Sequence, residues 1–220
     1  MLIIETINRN GNPTRFGVFG TCRLTHLFDQ ITDSKRVKKL WQHEGFTHTI
    51  DGASQLINYL DGQLEIPECF HFLIFGKNYS ENSDIHTTSI EQGKKVLESI
   101  DTLLIEVSSR SRIHVDNLEF DVNRFMEFFR PVGMPFLEWW SAITQGKEDL
   151  DQVISEFIIE SSKAELLPKK ELEYIANNCS RSISSETEII ELIWKLKEQT
   201  GKEIITVTNL DPTNINFSRF

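Results

Sequence analysis

The chain has 220 residues, of which 39% are hydrophobic and 25% are charged, as in an ordinary globular protein. Its 23 basic and 33 acidic residues give a formal net charge of −10. This balance argues against a general nucleic-acid binder, because phosphate contacts require clustered Lys and Arg. The three cysteines are too few and too scattered for a disulfide framework or a zinc site, so no metal is expected.

The cysteine count and the apolar segments bear on the compartment. An odd number of cysteines favours a reducing environment. The apolar start of the chain is interrupted at Glu5 and is too short for a signal peptide, and no stretch approaches the roughly 20 apolar residues that span a bilayer. We therefore expect a soluble, cytoplasmic protein without a membrane partner, whose oligomeric state the sequence leaves open.

Apolar periodicity divides the chain into strands and helices. Continuous apolar runs indicate buried strands, and apolar residues three or four apart indicate helices. In chain order the pattern predicts a candidate strand at 2–5, a strand at 15–20, helices at 24–40 and 51–61, a strand at 70–75, a helix at 90–100, a strand at 102–107, helices at 150–159, 168–176 and 185–199, and a strand at 203–208. Glycines at the predicted helix ends and a capping-box pattern, Ser185 with Glu188, support these bounds.

This order of elements predicts the fold class. Alternating strands and helices favour a three-layer α/β/α fold with a parallel sheet of four or five strands, of the flavodoxin-like type. We expect residues 1–220 to form a single domain. Ligands of such sheets bind beyond the carboxyl ends of the strands, which selects residues 20–23, 76–78, 108–110 and 209–211.

Two side-chain clusters lie elsewhere in the sequence. The basic cluster at 34–39 (SKRVKK) is typical of a solvated helix face, with binding of an anionic ligand as the alternative. The aromatic residues between 128 and 140 are typical of a packed core, with a sugar or acyl pocket as the alternative.

The first strong strand ends in Phe-Gly-Thr-Cys-Arg at residues 19–23. Gly20 allows a sharp turn, and a nucleophile at Cys22 would project from the end of the sheet. The N–H groups of the following helix would lower the pKa of the thiol and hold an oxyanion. The alternative is a buried cysteine that only packs.

This segment resembles the first sequence block of the SGNH (GDSL-like) hydrolase superfamily, in which strand one ends in a Gly-Asp-Ser turn. It is most similar to the Gly-x-Cys members, the GSCFA proteins and a family of capsule-polysaccharide acetyltransferases. The resemblance implies that Cys22 is the nucleophile and Gly20 the turn glycine, with Thr21 in place of the usual Asp, Asn or Ser.

Further blocks of the superfamily match only in part. The resemblance implies that Gly76 donates its N–H to the oxyanion, with a plain turn glycine as the alternative. The Gly-x-Asn-Asp block is replaced by Ser-Ser-Arg, so Ser108 or Arg110 would supply a donor. No Asp-x-x-His occurs. Three residues after Asp211, where the histidine of that motif should stand, the sequence has Asn214. Either the chain stops before its last strand and helix, or the protein never carried that dyad.

Other histidines are then candidates for the base. His26 is the first choice, because it lies one helical turn after Cys22. His48 is the second choice, in a loop that also holds His43 and whose direction relative to the sheet is open. Each lone histidine is more often structural than catalytic.

The resemblance implies an ester hydrolase or acyltransferase that acts on a glycan or another polar acyl substrate. It implies no metal or redox cofactor, and an acyl-CoA donor only if the chain follows the acetyltransferases. Two alternatives stay open. One is a non-catalytic binding module on a degenerate SGNH-like fold. The other is a glycan-processing transferase of other chemistry, in which Arg23 and Arg110 would grip a phosphate or sulfate.

Overall fold

The computed structural model describes residues 2–7, 11–31, 37–42, 47–75, 94–95, 97–146, 150–211 and 214–219. The chain divides into two compact units. Unit 1 contains Met1–Glu65, Glu81–Arg110 and Ser184–Phe220, and unit 2 contains Ile66–Ser80 and Ser111–Ile183. The single domain expected over residues 1–220 stays a prediction.

The elements follow in chain order: β1 (Leu2–Ile7), β2 (Pro13–Phe19), α1 (Cys22–Ile31), β3 (Val37–Gln42), α2 (Ile50–Leu60), a 3-10 turn (Glu68–Phe70), α3 (His71–Phe75), β4 (Thr102–Val107), β5 (Ser111–Val115), β6 (Leu118–Phe120), α4 (Val122–Phe129), a 3-10 turn (Arg130–Val132), α5 (Met134–Gln145), α6 (Asp151–Lys163), α7 (Lys169–Asn178), β7 (Cys179–Ile183), α8 (Glu186–Thr200), β8 (Glu203–Asp211) and β9 (Asn214–Arg219). Residues 94–95 and 97–98 are also helical, within the helix predicted at 90–100.

Unit 1 is built on a six-stranded mixed sheet with the order β3-β1-β2-β4-β8-β9. The central strands β2, β4 and β8 are parallel, and β1, β3 and β9 join them antiparallel. Helices lie on both sides of the sheet, so the predicted α/β class is confirmed. The candidate strand at 2–5 is present as β1.

Side chains alternate between the two faces of this sheet. On one face Val18, Leu104 and Val207 form an apolar cluster with Leu24 of α1. On the other side of the layer, α2 packs against β4 and α8 packs against β8. The central strands are therefore apolar on both faces, which is why they appear in the sequence as continuous apolar runs.

The strand predicted at 70–75 is wrong. This segment is a 3-10 turn followed by the short helix α3, and it belongs to unit 2. Phe70, Leu73 and Ile74 are buried, and their spacing of three and four is that of one helix face. A run of six apolar residues fits a buried helical turn as well as a strand, so periodicity could not separate the two.

The helix predicted at 24–40 is also wrong in its second half. Helix α1 ends at Ile31, and the basic segment continues into strand β3 at the edge of the sheet. Lys38 and Lys39 are exposed there. Charged side chains on an edge strand discourage pairing with another chain, so the lysines suit an edge as well as a helix face.

Unit 2 combines a three-stranded antiparallel sheet, β6-β5-β7, with helices α3 to α7. Aromatic side chains form much of its packed core. Trp139 is fully buried, stacks on Phe157 with ring centroids 4.3 Å apart, and donates from Nε1 to the carbonyl of Ala176 at 3.2 Å. None of the helices in the described parts of the chain combines the length and apolar character needed to cross a bilayer.

The predicted capping box at the start of α8 is present, and its contribution to stability can be measured. Ser185 Oγ accepts from the N–H of Glu188 at 3.2 Å, and Glu188 Oε2 accepts from the N–H of Ser185 at 2.7 Å. Replacing Ser185 with Ala should lower the free energy of unfolding by about 1 kcal/mol, because an N-cap oxygen is lost. Urea denaturation followed by circular dichroism measures this. Ser185→Thr keeps the oxygen and is the control, and an equal loss in both variants would contradict the capping argument.

Candidate active site

The turn between β2 and α1 places Cys22 at the first position of a helix. Strand β2 ends at Phe19, and α1 begins at Cys22. A Cβ atom on Gly20 would lie 2.7 Å from Oε2 of Glu106 and 2.9 Å from its Cβ. No side chain fits there, so the predicted turn glycine is required by close packing at the end of the central strand.

Glu106 is the carboxylate under this turn, and the sequence analysis assigned it no role. It is 1% exposed at the carboxyl end of β4. Its Oε2 accepts from the main-chain N–H of Thr21 at 2.7 Å, and the Thr21 hydroxyl lies 2.8 and 3.0 Å from its two oxygens. The available signal was one acidic residue inside the apolar run TLLIEV, because a buried carboxylate requires donors.

The segment before α2 runs along the carboxyl ends of β2 and β4. The N–H of Thr47 donates to the carbonyl of Gly20 at 3.2 Å. The carbonyl of His48 accepts from the N–H groups of Ser108 and Ser109 at 3.0 and 2.8 Å. The direction that the sequence left open is thereby decided, since this loop lies at the edge of the sheet where Cys22 begins its helix.

The His48 side chain faces the residue that follows β4. Its Nδ1 lies 3.3 Å from Oγ of Ser108, and the same hydroxyl lies 3.3 Å from the carbonyl of His48. Thr49 then caps α2 by accepting from the N–H of Gly52 at 3.0 Å. These contacts fix His48 between a sheet end and a helix start.

His26 and Arg110 have other partners. His26 is exposed on α1, with its Nε2 3.1 Å from Nε2 of Gln30. Arg110 donates from Nε to the carbonyl of Ser184 at 2.8 Å, and its own carbonyl accepts from the N–H of Ser184 at 2.8 Å. The structure thus ties Arg110 to the chain entering α8.

Several predicted site positions lie outside the residues or side chains that the structure describes. Gly76 and His43 lie outside the described residues, as do the side chains of Cys22 and Arg23. Near the carboxyl terminus, Asp211 pairs with Asn214 across the β8–β9 hairpin. In the described residues, no cluster of three His, Cys, Asp or Glu side chains could hold a metal ion.

Comparison with known proteins identifies the family. Residues 14–215 match the family described as the TviD N-terminal domain. The chain belongs to this family. A curated relative, the Vi polysaccharide biosynthesis protein TviD of Salmonella typhi, is 33% identical over 139 residues. That match covers 58% of this chain but only 15% of the relative. No solved structure gives a significant match. The resemblance to the SGNH superfamily stays a prediction.

Close packing at Gly20 predicts that Gly20→Ala will lower the free energy of unfolding by about 1–3 kcal/mol, the usual cost of overpacking. The new Cβ would meet the Cβ of Glu106, which cannot swing away. Gly17→Ala is the control, because its Cβ would meet the terminal methyl of Ile100 at 2.7 Å, which can rotate. Urea denaturation of both variants measures the difference. A Gly20→Ala protein as stable as the native one would contradict the packing argument.

The surroundings of the other two cysteines predict selective alkylation of Cys22. Burial raises the pKa of the Cys179 thiol to about 12, and burial together with the charge of Glu171 raises the pKa of Cys69. At pH 8 only about one Cys179 in ten thousand is thiolate, the reactive form. Iodoacetamide should therefore modify Cys22 at least about tenfold faster than Cys69, as measured by peptide mass spectrometry. Equal rates at all three would contradict a special environment for Cys22.

Proposed function

We propose that this chain is an SGNH-like acyltransferase that acts on a glycan, with Cys22 as nucleophile, and that it hydrolyses its acyl-enzyme when no acceptor is present. The observation that carries the proposal is the Gly20 turn. It delivers a cysteine to the first position of a helix, at the carboxyl end of a central parallel strand. Such a position stabilises a thiolate and supplies N–H donors to an oxyanion.

In the proposed reaction, the Cys22 thiolate attacks the acyl carbon of a thioester or ester donor, and the thiol proton passes to the base. The tetrahedral oxyanion accepts from the main-chain N–H of Cys22. Gly76 is left out of this reaction, because the segment 70–75 that should be the strand before it is a helix. Collapse forms an acyl-thioester on Cys22, and the leaving thiol or alcohol takes the proton. A glycan hydroxyl then attacks this thioester and gives its proton to the base. Cys22 leaves as a thiolate, which takes this proton back from the base.

We assign the base to His48 rather than His26. The main-chain bonds from Thr47 to Gly20 and from Ser108 to His48 support this choice, because they hold the His48 segment beside the strand end that precedes Cys22. His26 interacts with Gln30 on an exposed part of α1. His26 is therefore the second candidate.

A polysaccharide substrate is supported by the relative. TviD of Salmonella typhi is named for Vi polysaccharide biosynthesis, and this chain matches a short part of it. Biosynthesis favours transfer of an acyl group to a glycan over its removal. An acyl-CoA would serve as the donor, since a thioester can exchange its acyl group with a cysteine thiol without a metal.

A binding module is the second candidate, and one observation favours it. Asp211 and Asn214, which have the Asp-x-x-His spacing, are register partners in the β8–β9 hairpin, and an asparagine cannot act as a base. A chain without a base would hold a glycan without modifying it. A transferase in which Arg23 and Arg110 bind a phosphate or sulfate has less support, because Arg110 already donates to the carbonyl of Ser184.

Substitution at Cys22 and at the two histidines distinguishes these functions. Cys22→Ala should lower kcat/KM for transfer from acetyl-CoA, or for hydrolysis of p-nitrophenyl acetate, by about a thousandfold or more. His48→Gln should lower it by about a hundredfold, as expected for a general base, and His26→Gln by less than about threefold. Cys69→Ser is the matched control and should keep full activity.

Intact-mass spectrometry after incubation with acetyl-CoA should show one acetyl group on the native chain and none on Cys22→Ala. A chain that binds polysaccharide unchanged but forms no adduct would support the binding module instead. Activity retained in Cys22→Ala would overturn the proposed nucleophile.

A further inference from the structure

Glu106 is a charged residue in a position that favours an apolar one. It follows Leu104 and Ile105 in β4, and all three are buried. Removing a carboxylate from water is costly unless donors replace the lost hydration. An aliphatic side chain would fill this place at lower cost to folding, so the carboxylate calls for an explanation in terms of its contacts.

Those contacts are with the residue directly before Cys22. Thr21 donates its main-chain N–H to Oε2 at 2.7 Å, and its hydroxyl lies within hydrogen-bond distance of both carboxylate oxygens. Thr21 is itself buried. Hydrogen bonds to an ionised acceptor are roughly twice as strong as neutral ones, so this pair fixes the peptide that enters α1.

The packing at Gly20 is a second, independent indication that Glu106 fixes this turn. The backbone passes so near the carboxylate that any Cβ on Gly20 would overlap Oε2 and the Cβ of Glu106. Two consecutive residues therefore contact the Glu106 carboxylate: Gly20 packs against it and Thr21 donates hydrogen bonds to it. Movement of Glu106 would move the chain from which Cys22 begins its helix.

We propose that Glu106 is a positioning residue for Cys22: through Thr21 it fixes the start of α1, and its charge restrains the ionisation of the Cys22 thiol. The inference rests on the proposed function only in making Cys22 the reacting group. Glu106 acts through Thr21 and touches no substrate in this mechanism.

The negative charge of Glu106 should affect the pKa of the Cys22 thiol in one direction. A nearby negative charge disfavours a thiolate and raises the pKa of a thiol, whereas the N-terminus of α1 lowers it. The charged and titratable side chains described on the elements around this turn include His26 on α1, His48 before α2, Asp51 in the first turn of α2 and Arg110 after β4. Glu106 is the acidic group that accepts from the residue before Cys22. Its removal should therefore make the thiolate form at lower pH.

The test follows alkylation of Cys22 by iodoacetamide as a function of pH in the full chain, with Cys69 as the internal reference. Glu106→Gln keeps the volume and one acceptor oxygen but removes the charge. We expect the midpoint of the Cys22 rate profile to fall by about one pH unit, while that of Cys69 stays unchanged. A role confined to stability would lower the unfolding midpoint in urea and leave the Cys22 profile where it was.

A second pair of variants tests the contact from the other side. Thr21→Val keeps the shape and the main-chain N–H but removes the hydroxyl, whereas Thr21→Ser keeps both donors. We expect Thr21→Val to change the Cys22 alkylation rate by about threefold to tenfold, the effect of one hydrogen bond. Thr21→Ser should keep the native rate, because both donors remain. This pair decides the question if Glu106→Gln does not fold.

Two results would overturn the proposal. One is a Cys22 profile in Glu106→Gln that superimposes on the native profile. The other is equal acceleration at all three cysteines, which indicates a loosened fold. Alkylation needs no turnover, so the outcome is separate from that of the proposed function. An inactive Cys22→Ala with an unchanged Glu106→Gln profile would reject only the positioning role, and the converse result would reject only the acyl transfer.

Discussion

The arrangement at the end of the sheet depends on one buried carboxylate. Glu106 accepts from the N–H and the hydroxyl of Thr21, and the backbone of Gly20 lies against it. A residue larger than glycine would not fit at position 20, and a residue without a side-chain donor at position 21 would leave the carboxylate less well compensated. The identities of two residues in the turn thus follow from a third residue more than 80 positions away, on the neighbouring parallel strand.

The parallel pairing of β2 and β4 extends this constraint to the loop that carries His48. Because the two strands run in the same direction, both end at one edge of the sheet. The loop bonds Gly20 after the first strand and Ser108 after the second. These are main-chain bonds, so they do not depend on the residue types of the loop. The side chain at position 48 is therefore held at this edge by backbone geometry and by the cap of α2 at Thr49.

The sequence predicted the elements whose patterns have a single physical cause. Strand β4 and the first part of β8 are buried on both faces and appear as apolar runs, while α8 is marked by Ser185 and Gly201 at its ends. The run at 70–75 has two causes that give the same pattern, a strand or a buried helical turn, and the prediction chose the wrong one. The role of Glu106 could not be predicted, because it depends on which strands are neighbours.

In the proposed mechanism a cysteine nucleophile makes a smaller demand on its base than a serine would. A serine hydroxyl at this turn would need a strong base, held by a carboxylate, to lose its proton during attack. A thiol ionises near pH 8.5 in water, and a helix N-terminus lowers that value, so a cysteine needs less help from its base. A single histidine fixed by main-chain bonds would then suffice. In the proposed mechanism Glu106 therefore acts on the turn that carries the nucleophile, through its hydrogen bonds with Thr21 and its close contact with Gly20.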